Sequence, residues 1–183
     1  MLAYFFTHWP LESIPSEHYE AALRSFHQSL AAHPPQGFHQ SWVIAVQGLP
    51  WANRGLAAYE DWYLVDDFAA LGVVNEAAVS APHQETHTAV ARMTGAGKGG
   101  VYALVQGACE PAQIRYAAWF GKPAGMTYAA CLQQLATITN QPGAALWLRQ
   151  MVLGPGLEFC LHTAHSLALP EAFQALQVEV RQV

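Results

Sequence analysis

The sequence predicts an α+β protein of two tandem four-stranded units whose antiparallel sheets pair into one barrel-like core. Three observations predict it. The halves echo one another, because Phe5-Phe6-Thr7-His8-Trp9-Pro10 returns in outline as Ala118-Trp119-Phe120-Gly121-Lys122-Pro123, each an aromatic run that ends in proline before a helical stretch. Trp42 stands eight residues before Pro50, and Trp147 stands eight before Pro155. Both halves read in the order β-α-β-β-α-β. A repeat of this kind outranks any single motif, since overlooking it misassigns the whole fold.

The chain has 183 residues, so each half of roughly 90 is small for an independent core and should pack on the other. The expected division is 1–108, carrying an insertion at 81–100, and 109–183. Met1 to Thr7 reads as a buried strand. Pro15-Ser16-Glu17 opens a helix in which Tyr19, Leu23, Phe26 and Leu30 share a face until Pro34-Pro35 stops it. Phe38 to Gln47 is the second strand, and Gly48 to Gly55 the turn after it. Ala57 to Val65 is the third strand. Asp66-Asp67 can cap the next helix, where Phe68, Leu71, Val74 and Ala78 recur at helical spacing. Val101 to Gln106 closes the first half. In the second half the expected elements are strand Ile114–Phe120, helix Pro123–Ile138, strands Ala144–Val152 and Leu157–Ala164, a short turn over Pro170–Ala175 and strand Leu176–Val180.

That order is the ferredoxin-like split βαβ motif. With aromatic strands ending at Pro10 and Pro123, and strands from Trp42 and Trp147 running into Gly- and Pro-bearing turns, the chain resembles the dimeric α+β barrel superfamily over almost its whole length. The resemblance implies two sheets closed into one barrel with helices outside and a ligand cavity within. It implies a small-molecule-binding protein, an enzyme of small oxygenase or isomerase type. Haem handling, with His162 or His165 as axial ligand, and a non-catalytic binding or assembly module are the alternatives. No residue pattern names a cofactor.

Composition narrows the partners. The chain is 52% hydrophobic and 11% charged, against about 25% charged in a typical domain, so some apolar surface is expected to face a partner, a homodimer being the simplest. The net charge of −5 with eight scattered Lys and Arg offers no basic stripe for nucleic acid. Pro10 interrupts the apolar start well short of the roughly 20 residues needed to span a bilayer, and Met1–Trp9 lacks a basic n-region. A cytoplasmic location away from membranes is the expectation. Cys109, Cys131 and Cys160 lie too far apart for a metal knuckle and read as buried thiols.

Two motifs invite chemistry and fall short of it. His83-Gln84-Glu85-Thr86-His87 puts two imidazoles on one helix face, but the zincin pattern needs the glutamate directly after the first histidine, so no metal is expected and the histidines read as solvated. The Gly95–Gly100 run precedes a strand instead of following one, unlike phosphate-cradling loops. Ala81 to Gly100 is therefore read as an irregular excursion and a candidate lid. His18 and His27 fall off the apolar face of the first helix and are expected in solvent.

Strand faces give the candidate site. Glu60 and Trp62 alternate on the third strand, Trp147 and Arg149 share a face, and so do Glu158, Cys160 and His162. Arg149, Glu158 and His162, with Trp119 and Trp147 nearby, would converge on the wall of a cavity fit for an anionic or polar aromatic ligand.

Overall fold

The structure, a computed structural model, describes residues 1–52 and 57–183. The far end of the expected Gly48–Gly55 turn lies outside the described residues. Nine strands are described: β1 (Leu2–Pro10), β2 (Phe38–Val46), β3 (Ala58–Val65), β4 (Thr94–Gly107), β5 (Tyr116–Phe120), β6 (Ala145–Arg149), β7 (Phe159–Thr163), β8 (Leu176–Glu179) and β9 (Arg181–Gln182). They form one antiparallel sheet in the order β8-β5-β7-β6-β4-β1-β3-β2-β9. β8 pairs with β5 at one edge, β9 pairs with β2 at the other, and only Val180 separates β8 from β9. The C-terminal segment thus bridges both edges and nearly closes the barrel, which leaves little unpaired backbone exposed. The chain is α+β, and the described residues hold four α-helices, α1 (Ser16–Ala32), α2 (Phe68–Ala78), α3 (Gln84–Met93) and α4 (Tyr128–Thr139).

Alternation along the strands divides the side chains between two environments. Phe5, Trp42, Trp62, Tyr102, Trp119 and Trp147 point inward and fill the barrel with packed rings. On the outer face, Tyr19, Leu23, Phe26 and Leu30 of α1 pack on Leu2, Val43, Tyr59 and Tyr63, as the spacing predicts. The second half builds its own outer core from Phe120, Cys131, Leu135, Phe159 and Phe173.

Local chemistry fixes the helix ends. The Asp67 carboxylate accepts from Ala70 N at 2.9 Å and caps α2. Gly37, at φ +76°, lets α2 approach, because a Cβ there would fall 2.5 Å from that of Ala70. α4 begins at Tyr128 rather than Pro123, after Gly125 at φ +79°, and Thr127 Oγ1 accepts from Ala130 N at 3.2 Å.

The expected excursion at 81–100 is ordered secondary structure. Residues 84–93 form α3, and Thr94 to Gly100 belong to β4, paired along β1 from Pro10↔Thr94 to Phe5↔Gly100. The glycines are there for packing. A Cβ on Gly97 would lie 2.3 Å from Phe6 Cζ, and one on Gly99 would lie 2.6 Å from the Tyr4 hydroxyl. β4 therefore lacks side chains where the rings of β1 lie over it. Helix and paired strand stand where a loop-like lid was expected.

Candidate functional site

A cavity of about 770 Å³ opens on the outer face of the first half, beneath α2 and α3, within the usual range for small-molecule sites. Its walls are apolar, from Phe6, Phe26, Phe68, Leu71, Val74, Val90 and Val101. Tyr4, Tyr63, Thr94, His87 and Asp61 add polar atoms. Gly72, inside α2, also lines it, and a Cβ there would meet nothing within 4 Å.

Asp61 anchors the polar side. Its Oδ2 accepts from the Tyr63 hydroxyl at 2.8 Å. Its Oδ1 is buried between the two imidazoles, 3.1 Å from His8 Nε2 and 3.4 Å from His27 Nε2. Burial raises the Asp61 pKa, but the two histidines outweigh it and hold the carboxyl well below the usual carboxylate range. Each histidine is fixed from behind, His8 Nδ1 by the Tyr19 hydroxyl at 2.6 Å and His27 Nδ1 by Ser41 Oγ at 2.7 Å. The Tyr19 hydroxyl also meets Thr94 Oγ1 at 2.8 Å, which returns the chain of contacts to the cavity. His8 stacks near Tyr59 and His27 near Tyr63, so the imidazoles flank Asp61 along the strand. Among the described residues no group of three His, Cys, Asp or Glu side chains is placed to hold a metal ion.

This cluster corrects the solvent expectation for His27, which is buried on α1. His83 is also buried, with Nδ1 on Ser29 Oγ at 2.8 Å. His87 faces the cavity against Phe26, and burial lowers its pKa. Sequence reasoning missed His8 and Asp61. The available signal was their place on strands, where period two sets Asp61 and Tyr63 on the face opposite Glu60 and Trp62.

The strand-face candidates occupy two other places. Trp62, Trp119, Trp147, Glu60 and His162 are fully buried, and the rings meet in the barrel interior. Trp147 Nε1 donates to His162 Nδ1 at 3.2 Å, which fixes His162 as the Nε2–H tautomer, and burial pushes its pKa down to about 3. Glu60 has no partner on either oxygen, and burial pushes its pKa up to about 8. Arg149 and Glu158 lie outside this cluster. Arg149 donates to the carbonyls of Gly154 at 3.3 Å and Gly156 at 2.5 Å. Glu158 accepts from Lys122 N at 2.8 Å and from the Tyr128 hydroxyl. Strand pairing sets the two opposite each other, but each is engaged elsewhere.

Haem does not fit at the histidines suggested for it. The His162 ring lies 4.6 Å from that of Trp62 and within 6.3 Å of Trp42 and Trp147, so a macrocycle at Nε2 would have to displace the interior tryptophans. His165 is exposed and lines no part of the cavity.

No family model matches the chain, and no curated protein matches it. Solved structures share the fold. A protein named as a monooxygenase from Fusobacterium nucleatum subsp. nucleatum aligns at 10% identity and TM-score 0.66, over 99% of this chain and 91% of its own. An anthrone oxidase-like protein aligns at 10% identity and TM-score 0.58, over 100% of this chain and 91% of its own. A protein named as a chlorite dismutase aligns at 12% identity and TM-score 0.53, over 100% and 96%. At such identities the likeness shows the fold alone, a nearly closed α+β barrel. No helix among the described residues is long and apolar enough to cross a membrane.

Proposed function

We propose that the protein is a small oxygenase-type enzyme that takes a flat, largely apolar ligand into the cavity beneath α2. The observation that carries this reading is the cavity itself: aromatic and aliphatic walls around a single buried carboxylate flanked by two imidazoles. Apolar walls of this kind bind by excluding water, and the few polar groups set orientation. The cluster around Asp61 supplies groups able to accept and pass protons, as oxidation at an activated carbon requires. The names of the similar structures point to the same reaction class.

Tandem organisation is part of the proposal. The strand orders β4-β1-β3-β2 and β8-β5-β7-β6 support two ferredoxin-like units, 1–108 and 109–183, with Trp42 matching Trp147. In this reading the first unit, which alone carries both α2 and α3 over its sheet, holds the site, and the barrel interior joins the units.

The test uses 9-anthrone as a trial substrate, whose ring methylene is converted to a carbonyl with consumption of one dioxygen and release of one water. An oxygen electrode and the quinone absorbance follow it together. Oxygen uptake above the protein-free rate that disappears in Gly72→Phe supports the reading. Binding without uptake leaves a non-catalytic binding module, and absence of both removes the cavity from consideration.

A further inference from the structure

We infer that His87 is the side chain that reads the ligand in this cavity: an open imidazole nitrogen accepts the O–H of a phenol-type aromatic. The inference rests on the cavity being the ligand site and adds the chemical class the site takes, an aromatic bearing a hydroxyl.

Three observations converge. The first is which polar groups of the cavity are already engaged. Asp61 is held between His8 and His27 and by the Tyr63 hydroxyl. Thr94 Oγ1 donates to Val90 O at 3.0 Å and meets the Tyr19 hydroxyl at 2.8 Å. Asn75 lines the cavity from an exposed position on α2, where water serves its amide. Tyr4 faces the cavity as a neutral O–H donor, because burial together with Asp61 raises its pKa. His87 is left as the open acceptor: it is half-buried, its ring centroid lies 5.3 Å from that of Phe26, and among the described residues neither ring nitrogen has a hydrogen-bond partner. The second is how α3 divides its two histidines, four residues apart on one face. His83 is buried with Nδ1 on Ser29 Oγ of α1 at 2.8 Å, so it pins the helix that carries His87 to the cavity. His87 N donates to His83 O at 3.0 Å, and the imidazole is held over the site before a ligand arrives. The third is its chemistry. Burial lowers the His87 pKa, so at pH 7 the ring is neutral and one nitrogen offers a lone pair. A phenol satisfies that nitrogen, whereas an ether or a bare ring of the same shape leaves it unpaired against apolar walls.

The experiment is calorimetric titration of the whole protein with 2-naphthol and 2-methoxynaphthalene. On the native protein 2-naphthol should bind about three- to tenfold more tightly than the ether, the span expected for one neutral hydrogen bond. His87→Phe keeps a ring against Phe26 and removes the acceptor, so it should erase that preference and leave the affinity for the ether unchanged. Tyr4→Phe should keep the preference. Equal binding of the two probes to the native protein, or a preference that survives His87→Phe, overturns the role of His87 and leaves the cavity as the site. An equal loss of both probes in His87→Phe also overturns it, since a merely structural residue would behave that way. Binding of either probe that survives Gly72→Phe overturns the cavity reading itself. Should His87→Phe fail to fold, the native protein labelled with 15N at histidine decides: one imidazole nitrogen should shift with 2-naphthol and stay in place with the ether, and no such shift overturns the inference.

Discussion

Glu60 and Asp61 are adjacent on β3, and their environments drive their carboxyls in opposite directions. Glu60 enters the barrel interior, where burial pushes its pKa up to about 8. Asp61 faces the helices, where burial is outweighed by His8 and His27 and the carboxyl stays ionised far below its ordinary range. One strand thus presents a neutral acid to one side and a fixed anion to the other. Carboxyl pairs split this way mark a division of roles, and here only the anion borders the cavity.

The Asp61 anion should be a large element of stability. Asp61→Asn keeps the volume but removes the charge between His8 and His27, and breaking a buried ionic cluster costs about 3 to 5 kcal/mol. Because the folded pKa lies below the unfolded one, this stability is present above the unfolded value near 4 and is lost as pH falls through the folded value. Urea melts from pH 7 to pH 2 check it: the native protein should weaken below about pH 4, and the variant should show a flatter acid limb.

Glu60 should behave with the opposite sign. Its folded pKa lies above the unfolded one, so the unfolded chain loses its proton first and stability falls as pH rises from about 4.5 to 8, by up to about 1.4 kcal/mol per unit. Glu60→Gln should remove that slope and be the more stable protein at pH 8. Thermal melts of both at pH 5 and pH 8 measure the difference, and parallel curves would show that Glu60 is ionised in the fold.

Much of the fold was legible because period and punctuation agree. The face of α1 at Tyr19, Leu23, Phe26 and Leu30 is buried as its spacing implies, and Asp67 caps α2. Thr94–Gly100 was misread because glycine signals a loop by itself but a strand when aromatic rings of a neighbour lie over it, and that neighbour, β1, is some 90 residues away. The site was harder still. His8, His27 and Asp61 sit on three separate elements, and no spacing links them; only the register of β1 on β3 and the docking of α1 bring them together. The barrel residues were found because alternation within one strand reveals a face, though not whether that face lines a void or a packed core.

Arg149 should be a turn anchor. Its guanidinium bonds two carbonyls of the turn that includes Met151 and Val152, whose positive φ values of 51° and 57° are costly for side chains with a Cβ. Arg149→Met should cost about 0.5 to 1.5 kcal/mol, since only the Gly156 end of the turn is buried and the Gly154 carbonyl can turn to water, and leave 9-anthrone affinity unchanged. Melting and titration of the variant together test this, and a loss of affinity without loss of stability would return Arg149 to the ligand site.

The glycines of β4 should be intolerant of side chains for a reason that reaches the cavity. Gly97 and Gly99 lie beneath Phe6 and Tyr4, and both rings line the cavity. In Gly97→Val the new Cβ meets the Phe6 ring, and overpacking of this kind costs about 1 to 3 kcal/mol. The displaced ring must move along the cavity wall, so ligand affinity should fall together with stability. Hydrogen exchange of the native protein gives the companion measurement. Amides of residues 94–100 that are directed at β1 should exchange slowly, as paired strands do. Fast exchange across the whole segment, with Gly97→Val leaving both melting and affinity intact, would show that 94–100 behaves as a loop in solution.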